Sequence, residues 1–222
     1  MQSPFSVRAA LLAPGDAEVR FERCFAAGRW FIERTSISDL LQSIFASPAN
    51  RGALEALVQG PMHVGFLFPE DDLTVEQMGE ASVRAGFRVD YSTFSSTVVA
   101  RELGKLAGCE RVPTLIFSAA TNGACARQGY VEAFIPAADR QLTRRWAEQD
   151  LASHVGLTLT DHAASGAAHQ VFLREGYAMA PFLRGAAISN PDAGVSVVYY
   201  DKPCAAGLSR IEVLSPMAGL SR

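Results

Sequence analysis

The sequence predicts an α+β protein made of two βαβββ modules behind a helical N-terminal extension. Three observations predict it. Residues 60–216 run twice through the order strand, helix, then further strands. Four landmarks recur in the same order in both copies, the signature of an internal repeat. The first 59 residues instead space their apolar side chains at three and four, the period of helices.

In the extension, 1–59, RFERCFAAGRWFIE and SDLLQSIFASPANRGALEALVQ carry the helical spacing. Ser38 or Asp39 is placed to cap the second helix, and Pro48-Ala49-Asn50 interrupts it. The segment holds no recognisable chemistry and is expected to cover one face of the strands and helices C-terminal to it.

The first module, 60–136, opens on the compact apolar run MHVGFLF, a strand. Pro69-Glu70-Asp71-Asp72 breaks it, with acids suited to a helix start. TVEQMGEASVRAG is a helix ended by Gly86. FRVDYSTFSSTVVA, rich in β-branched and aromatic residues, reads as strand. ARELGKLAGCERV is a charged excursion, loop or short helix. PTLIFSAA is a strand, NGACARQG a turn and YVEAFIP a strand.

Residues 137–152, AADRQLTRRWAEQDLA, form a helical connector. The second module, 153–222, repeats the order. SHVGLTL is a strand broken by Thr160-Asp161, and SGAAHQVFLREG is a helix ended by Gly176. YAMAPFLRGAAI, GVSVVYYD and SRIEVLSP are strands.

The repeat is visible residue by residue. His63-Val64-Gly65 returns as His154-Val155-Gly156, and Arg84-Ala85-Gly86-Phe87 as Arg174-Glu175-Gly176-Tyr177. The interval from histidine to glycine is 23 residues in one copy and 22 in the other. Val131-Glu132 precedes Pro136 as Ile211-Glu212 precedes Pro216. Chance explains one such match far better than four in order.

Two of the chain's four histidines therefore hold equivalent places in apolar first strands. Each last strand carries one glutamate among apolar neighbours. A single such glutamate could alternate outward to water. Two at equivalent places, each in a copy with a repeated histidine, point to chemistry. A buried carboxylate is costly unless paired or metal-bound, and imidazole with carboxylate suits first-row divalent ions. Two glutamates balance the charge of one such ion. The pleat puts His63, Gly65 and Leu67 on one side, and likewise His154, Gly156 and Thr158. The glycines would leave space beside a metal.

On these residues the chain resembles the vicinal oxygen chelate superfamily, which includes glyoxalase I, methylmalonyl-CoA epimerase, extradiol dioxygenases and the fosfomycin and bleomycin resistance proteins. The resemblance spans about residues 60–216. It implies that the modules pair into a cupped mixed sheet around one metal, with ligands from each first and last strand. His63 and His154 match the first-strand ligands, and Glu132 and Glu212 the last-strand ligands. Residues 1–59 have no counterpart in minimal members. The stretch from Thr97 to Val112 is long for the family and would reshape the mouth of the cavity.

The implied function is that of a divalent-metal-dependent enzyme acting on a small oxygen-bearing substrate, the ion being nickel, zinc, cobalt, manganese or iron. The pattern His, Glu, His, Glu looks most like the isomerase and lyase branch. Its chemistry is enolate stabilisation or proton transfer, with Glu132 or Glu212 as the catalytic carboxylate. One alternative is a non-haem iron dioxygenase; members that cleave rings use two histidines and one glutamate, so Glu132 counts against it. The other is a metal-free binding or resistance protein, a branch that lacks the ligands present here.

The remaining residues carry less. His162 and His169, on the second module's helix, read as surface or packing residues. Tyr91, Phe94, Phe117, Tyr199 and Tyr200 lie on predicted strands and read as core, with some available to line a cavity. Arg127 and Arg184 read as solvated loop residues able to meet an anion. Ser165-Gly166-Ala167-Ala168 is no phosphate loop, and no Ser-His-Asp motif is present.

Composition narrows the partners. A net charge of -3, from 20 basic and 23 acidic residues, lacks the basic stripe of a nucleic-acid binder. No apolar run reaches the roughly 18 residues of a membrane span. The N-terminus has neither the basic start nor the long apolar stretch of a signal peptide. Cys24, Cys109, Cys125 and Cys204 form no CxxC pair, as expected of reduced thiols in a cytoplasmic protein. The expected partner is a small-molecule substrate, with an open sheet edge available for a homodimer.

Overall fold

The computed structural model describes residues 5–69, 72–122, 128–183, 187–190, 194–204 and 207–217. In chain order the helices are α1 (Arg8–Leu12), α2 (Ala17–Arg34), α3 (Ile37–Ile44), α4 (Pro48–Glu55), α5 (Val75–Arg84), α6 (Val98–Ala107), α7 (Arg140–Glu148) and α8 (Ala164–Arg174). The strands are β1 (Val58–Leu67), β2 (Phe87–Ser95), β3 (Thr114–Thr121), β4 (Gly129–Pro136), β5 (His154–Leu159), β6 (Ala178–Met179), β7 (Ile188–Asn190), β8 (Val195–Cys204) and β9 (Gly207–Pro216). The class is α+β with parallel and antiparallel pairs.

The chain divides into two compact units. Among the described residues, one takes Phe5–Arg34 and the stretch from His63 to Ser153; the other takes Thr35–Met62 and the stretch from His154 to Met217. In the unit of the first module the strand order is β2-β3-β4-β1. In the unit of the second it is β5-β9-β8, with β6 and β7 both on β8. Each module thus lays its first strand beside its last.

Helix α2, from the N-terminal extension, is part of the first module's core. Phe21 and Phe25 lie one turn apart on its buried face with ring centroids at 4.6 Å. Phe25 meets Phe66, Phe87 and Phe117 edge-on at 5.8, 5.2 and 5.6 Å, and Phe21 meets Phe68 at 5.0 Å. Gly28 allows the close approach to the sheet, because a Cβ there would fall 2.7 Å from Val131 Cγ2.

Helices α3 and α4 belong instead to the unit of the second module. Phe45, just past α3, packs edge-on against Phe172 at 5.4 Å, and Phe172 stacks on Tyr200 at 4.3 Å. Glu175, 7% exposed, accepts hydrogen bonds from the Ala46 and Ser47 amides and from Asn50 Nδ2. Burial pushes its carboxyl up, but those bonds and Lys202 more than offset this and hold it below the ordinary range.

Local readings shift in four places. The cap of α3 is Ser36, not Ser38, with Asp39 closing a reciprocal capping box. Pro48 opens a separate helix, α4, capped by Ser47. Residues 98–100, read as strand from their β-branched side chains, begin α6 instead. Val98, Val99, Ala100 and Leu103 are buried there, and Gly108 at φ +73° closes the helix. YAMAPFLRGAAI is not one strand. Pro181, with no N–H for a ladder, starts a 3-10 turn between β6 and β7.

The repeated glycines just after α5 and α8 are both left-handed, Gly86 at φ +91° and Gly176 at φ +80°. Their surroundings differ. A Cβ on Gly86 would fall 1.6 Å from Arg29 Nη1, whereas on Gly176 the nearest atom is Lys202 Cε at 3.8 Å. Gly176→Ala is therefore expected to lose about 1 kcal/mol from backbone strain alone. Gly86→Ala is expected to lose about 2–3 kcal/mol, since Arg29 must also leave the Ala85 carbonyl and Glu33. Urea denaturation checks this, and equal losses would refute it.

Among the described residues, no helix is long and apolar enough to cross a membrane. Cys24 is buried, Cys109 exposed and Cys204 half-buried; Cys125 lies outside the described residues.

Candidate metal centre

In the first module, His63 sits on β1 and Glu132 on β4, neighbours in the sheet. His63 is fully buried and Glu132 half-buried. The two offer ligand atoms within 4.8 Å of one another. Tyr130, two residues before Glu132 and so on the same face, stacks on His63 with centroids at 4.5 Å and planes 9° apart. Ser118 on β3 stands opposite Glu132.

The second module builds the same pair. β5 runs parallel to β9, with Val155 beside Ile211 and Gly156 beside Glu212. His154 and Glu212 are 1% and 6% exposed. His154 Nε2 and Glu212 Oε2 are 3.4 Å apart. That is long for a good hydrogen bond. It matches two donors on one ion, which at bond lengths of about 2.1 Å stand about 3.0–3.4 Å apart. An imidazole beside a carboxylate at this spacing fits a divalent cation chemically. Gly156, beside Glu212, adds no side chain to crowd the pair.

Tyr199 stands opposite Glu212 on β8 and meets the His154 ring at 5.2 Å and 83°. Next along that face Asp201 stands opposite Arg210. The guanidinium grips Asp201 with two bonds, 2.8 and 2.9 Å, and lies 5.4 Å over the Tyr199 ring. Sequence reading missed Tyr130 and Arg210, although both lie two residues before a candidate ligand on a strand.

The other candidates fall elsewhere. His162 is exposed, and His169 Nδ1 lies 3.0 Å from the Tyr200 hydroxyl. Phe117 and Tyr200 are buried, while Tyr91 and Phe94 are 36% and 41% exposed. Arg127 and Arg184 lie outside the described residues. In the first module's unit a cavity of about 570 Å³ is lined by residues including Leu73, Met78, Arg111 and Ile135. Among the described residues, neither His63, Glu132 nor any aromatic residue lines it.

No family model matches the chain. No curated protein matches it in sequence. Among solved structures, the chain is similar to a mutant of 4-hydroxymandelate synthase from Streptomyces coelicolor, at 11% identity and a TM-score of 0.43. The match covers 72% of this chain and 49% of the synthase, so the chain spans about half the synthase's length. It is also similar to a variant of Streptomyces coelicolor methylmalonyl-CoA epimerase in complex with 2-nitronate-propionyl-CoA. Here the identity is 16%, the TM-score 0.39, and the match covers 73% of this chain and 98% of that one.

Proposed function

We propose that the chain is a divalent-metal-dependent enzyme of the vicinal oxygen chelate type, an isomerase or lyase, in which His63, Glu132, His154 and Glu212 hold one ion. The supporting observation is a duplication in topology. Each module sets its first strand beside its last, and each pair of strands brings one imidazole within reach of one carboxylate. The four together would bind a doubly charged ion without leaving net charge in an apolar sheet.

When bound, a divalent ion supplies a Lewis acid that polarises a substrate oxygen. The histidines fix its place from buried positions. Glu132 or Glu212 carries the proton to or from the carbon next to that oxygen. Tyr130 and Tyr199 wall the histidines and exclude water from them. The substrate is a small oxygen-bearing molecule.

Elemental analysis of protein purified without chelators tests the reading. About one equivalent of nickel, zinc, cobalt, manganese or iron per chain is expected. A chain that carries none, and takes up none on titration, overturns it in favour of a metal-free binding protein. Iron together with oxygen uptake after anaerobic purification would move the assignment to a dioxygenase.

A further inference from the structure

The two modules place an aromatic ring against their histidine by different means. In the first, Tyr130 on the last strand stacks directly on His63. The equivalent position in the second module, two residues before Glu212, is Arg210. The ring there comes from the preceding strand as Tyr199, opposite Glu212. The first module has Ser118 and Ala120 where the second has Tyr199 and Asp201.

Arg210 is an expensive residue to place there. Its side chain is 5% exposed and that of Asp201 11%. Replacing such a buried ion pair by apolar groups of similar volume is often neutral or stabilising. Stability alone therefore gives a weak reason for it. Its geometry gives a better one. Asp201 locks the guanidinium in a two-bond fork, and the locked cation lies 5.4 Å over the Tyr199 ring. Tyr199 in turn stands against His154.

We infer that Arg210 is a positioning residue. Clamped by Asp201, it fixes the Tyr199 ring against His154 and thereby sets the orientation in which that imidazole receives the metal. The pair does for His154 what Tyr130 does for His63 by direct stacking. Partners outside the ligand shell typically tune metal affinity in this way. The role of Arg210 rests on the proposed metal centre.

The test is titration of the purified full chain with zinc in competition with a chromophoric chelator, with the melting temperature of the metal-free protein as a second readout. The double variant Arg210→Met/Asp201→Leu removes both charges and keeps the volume. It is expected to melt at or above the wild-type temperature yet bind zinc roughly 10- to 100-fold more weakly. Tyr199→Leu should weaken zinc binding to a similar extent. If the wild type binds zinc and both the double variant and Tyr199→Leu bind it equally tightly, the positioning role is wrong and the metal centre stands. A role in stability alone would lower the melting temperature and leave zinc affinity unchanged, which also overturns it. A wild-type chain that binds no zinc or other divalent ion removes the metal centre and this role with it.

Discussion

Replacing His154 or Glu212 by alanine is expected to strip the protein of its divalent ion, lowering affinity by more than about 100-fold, the upper end of what outer partners contribute. Either change removes one of two donors that stand 3.4 Å apart inside a buried strand pair. No third acid or imidazole is described on the paired stretch Val155–Thr158 and Ile211–Leu214 to take its place. The change also leaves the other donor of the pair buried without that partner, so the metal-free variant should lose stability as well, by up to about 3–5 kcal/mol. The signature is therefore a protein that melts below the wild type in the metal-free form and is no longer stabilised by added metal. His63→Ala and Glu132→Ala should do the same. Metal content after dialysis decides it, and full metal content in His154→Ala would show that the ligands have been misassigned.

Phe25→Ala should be the most damaging change in the N-terminal extension, at about 3–5 kcal/mol. Phe25 is wholly buried and touches four other phenylalanine rings, from α2, β1, β2 and β3. Truncation removes both the transferred area and the edge-to-face contacts, and the surrounding aromatics are too rigid to close the gap. Trp30, five residues on in the same helix and 59% exposed, gives the control. Trp30→Ala should stay within about 0.5 kcal/mol. Urea midpoints at an unchanged m-value measure both. A loss below about 1 kcal/mol for Phe25→Ala would mean that α2 is a cover and not part of the core.

The order of strands and helices was legible because it was written twice. His63 and His154 stood out by repetition, and so did Glu132 and Glu212. What was not legible depended on contacts distant in sequence. The period of α2 announced a helix with an apolar face but could not say that Phe66, Phe87 and Phe117 would meet it. Val98 and Val99 looked like strand because β-branching favours strands locally, yet burial on one side of α6 outweighs that preference. Pro181 was the available sign that YAMAPFLRGAAI could not remain one strand. Tyr130 and Arg210 stand out only through their contacts, Tyr130 with the His63 ring and Arg210 with the Tyr199 ring.

The division of the first 55 residues between two partners has a consequence for synthesis. Helices α3 and α4 leave the ribosome early, but the Glu175 carboxylate that ties down the chain at Ala46 emerges 129 residues later. At roughly 5–20 residues per second, that is a wait on the order of 10 s. Phe45, buried in the finished protein, must spend it without Phe172 and Tyr177. The nascent chain is thus exposed to holdase chaperones and to aggregation at this segment, and a stop codon before residue 172 should yield a product that carries the burden permanently.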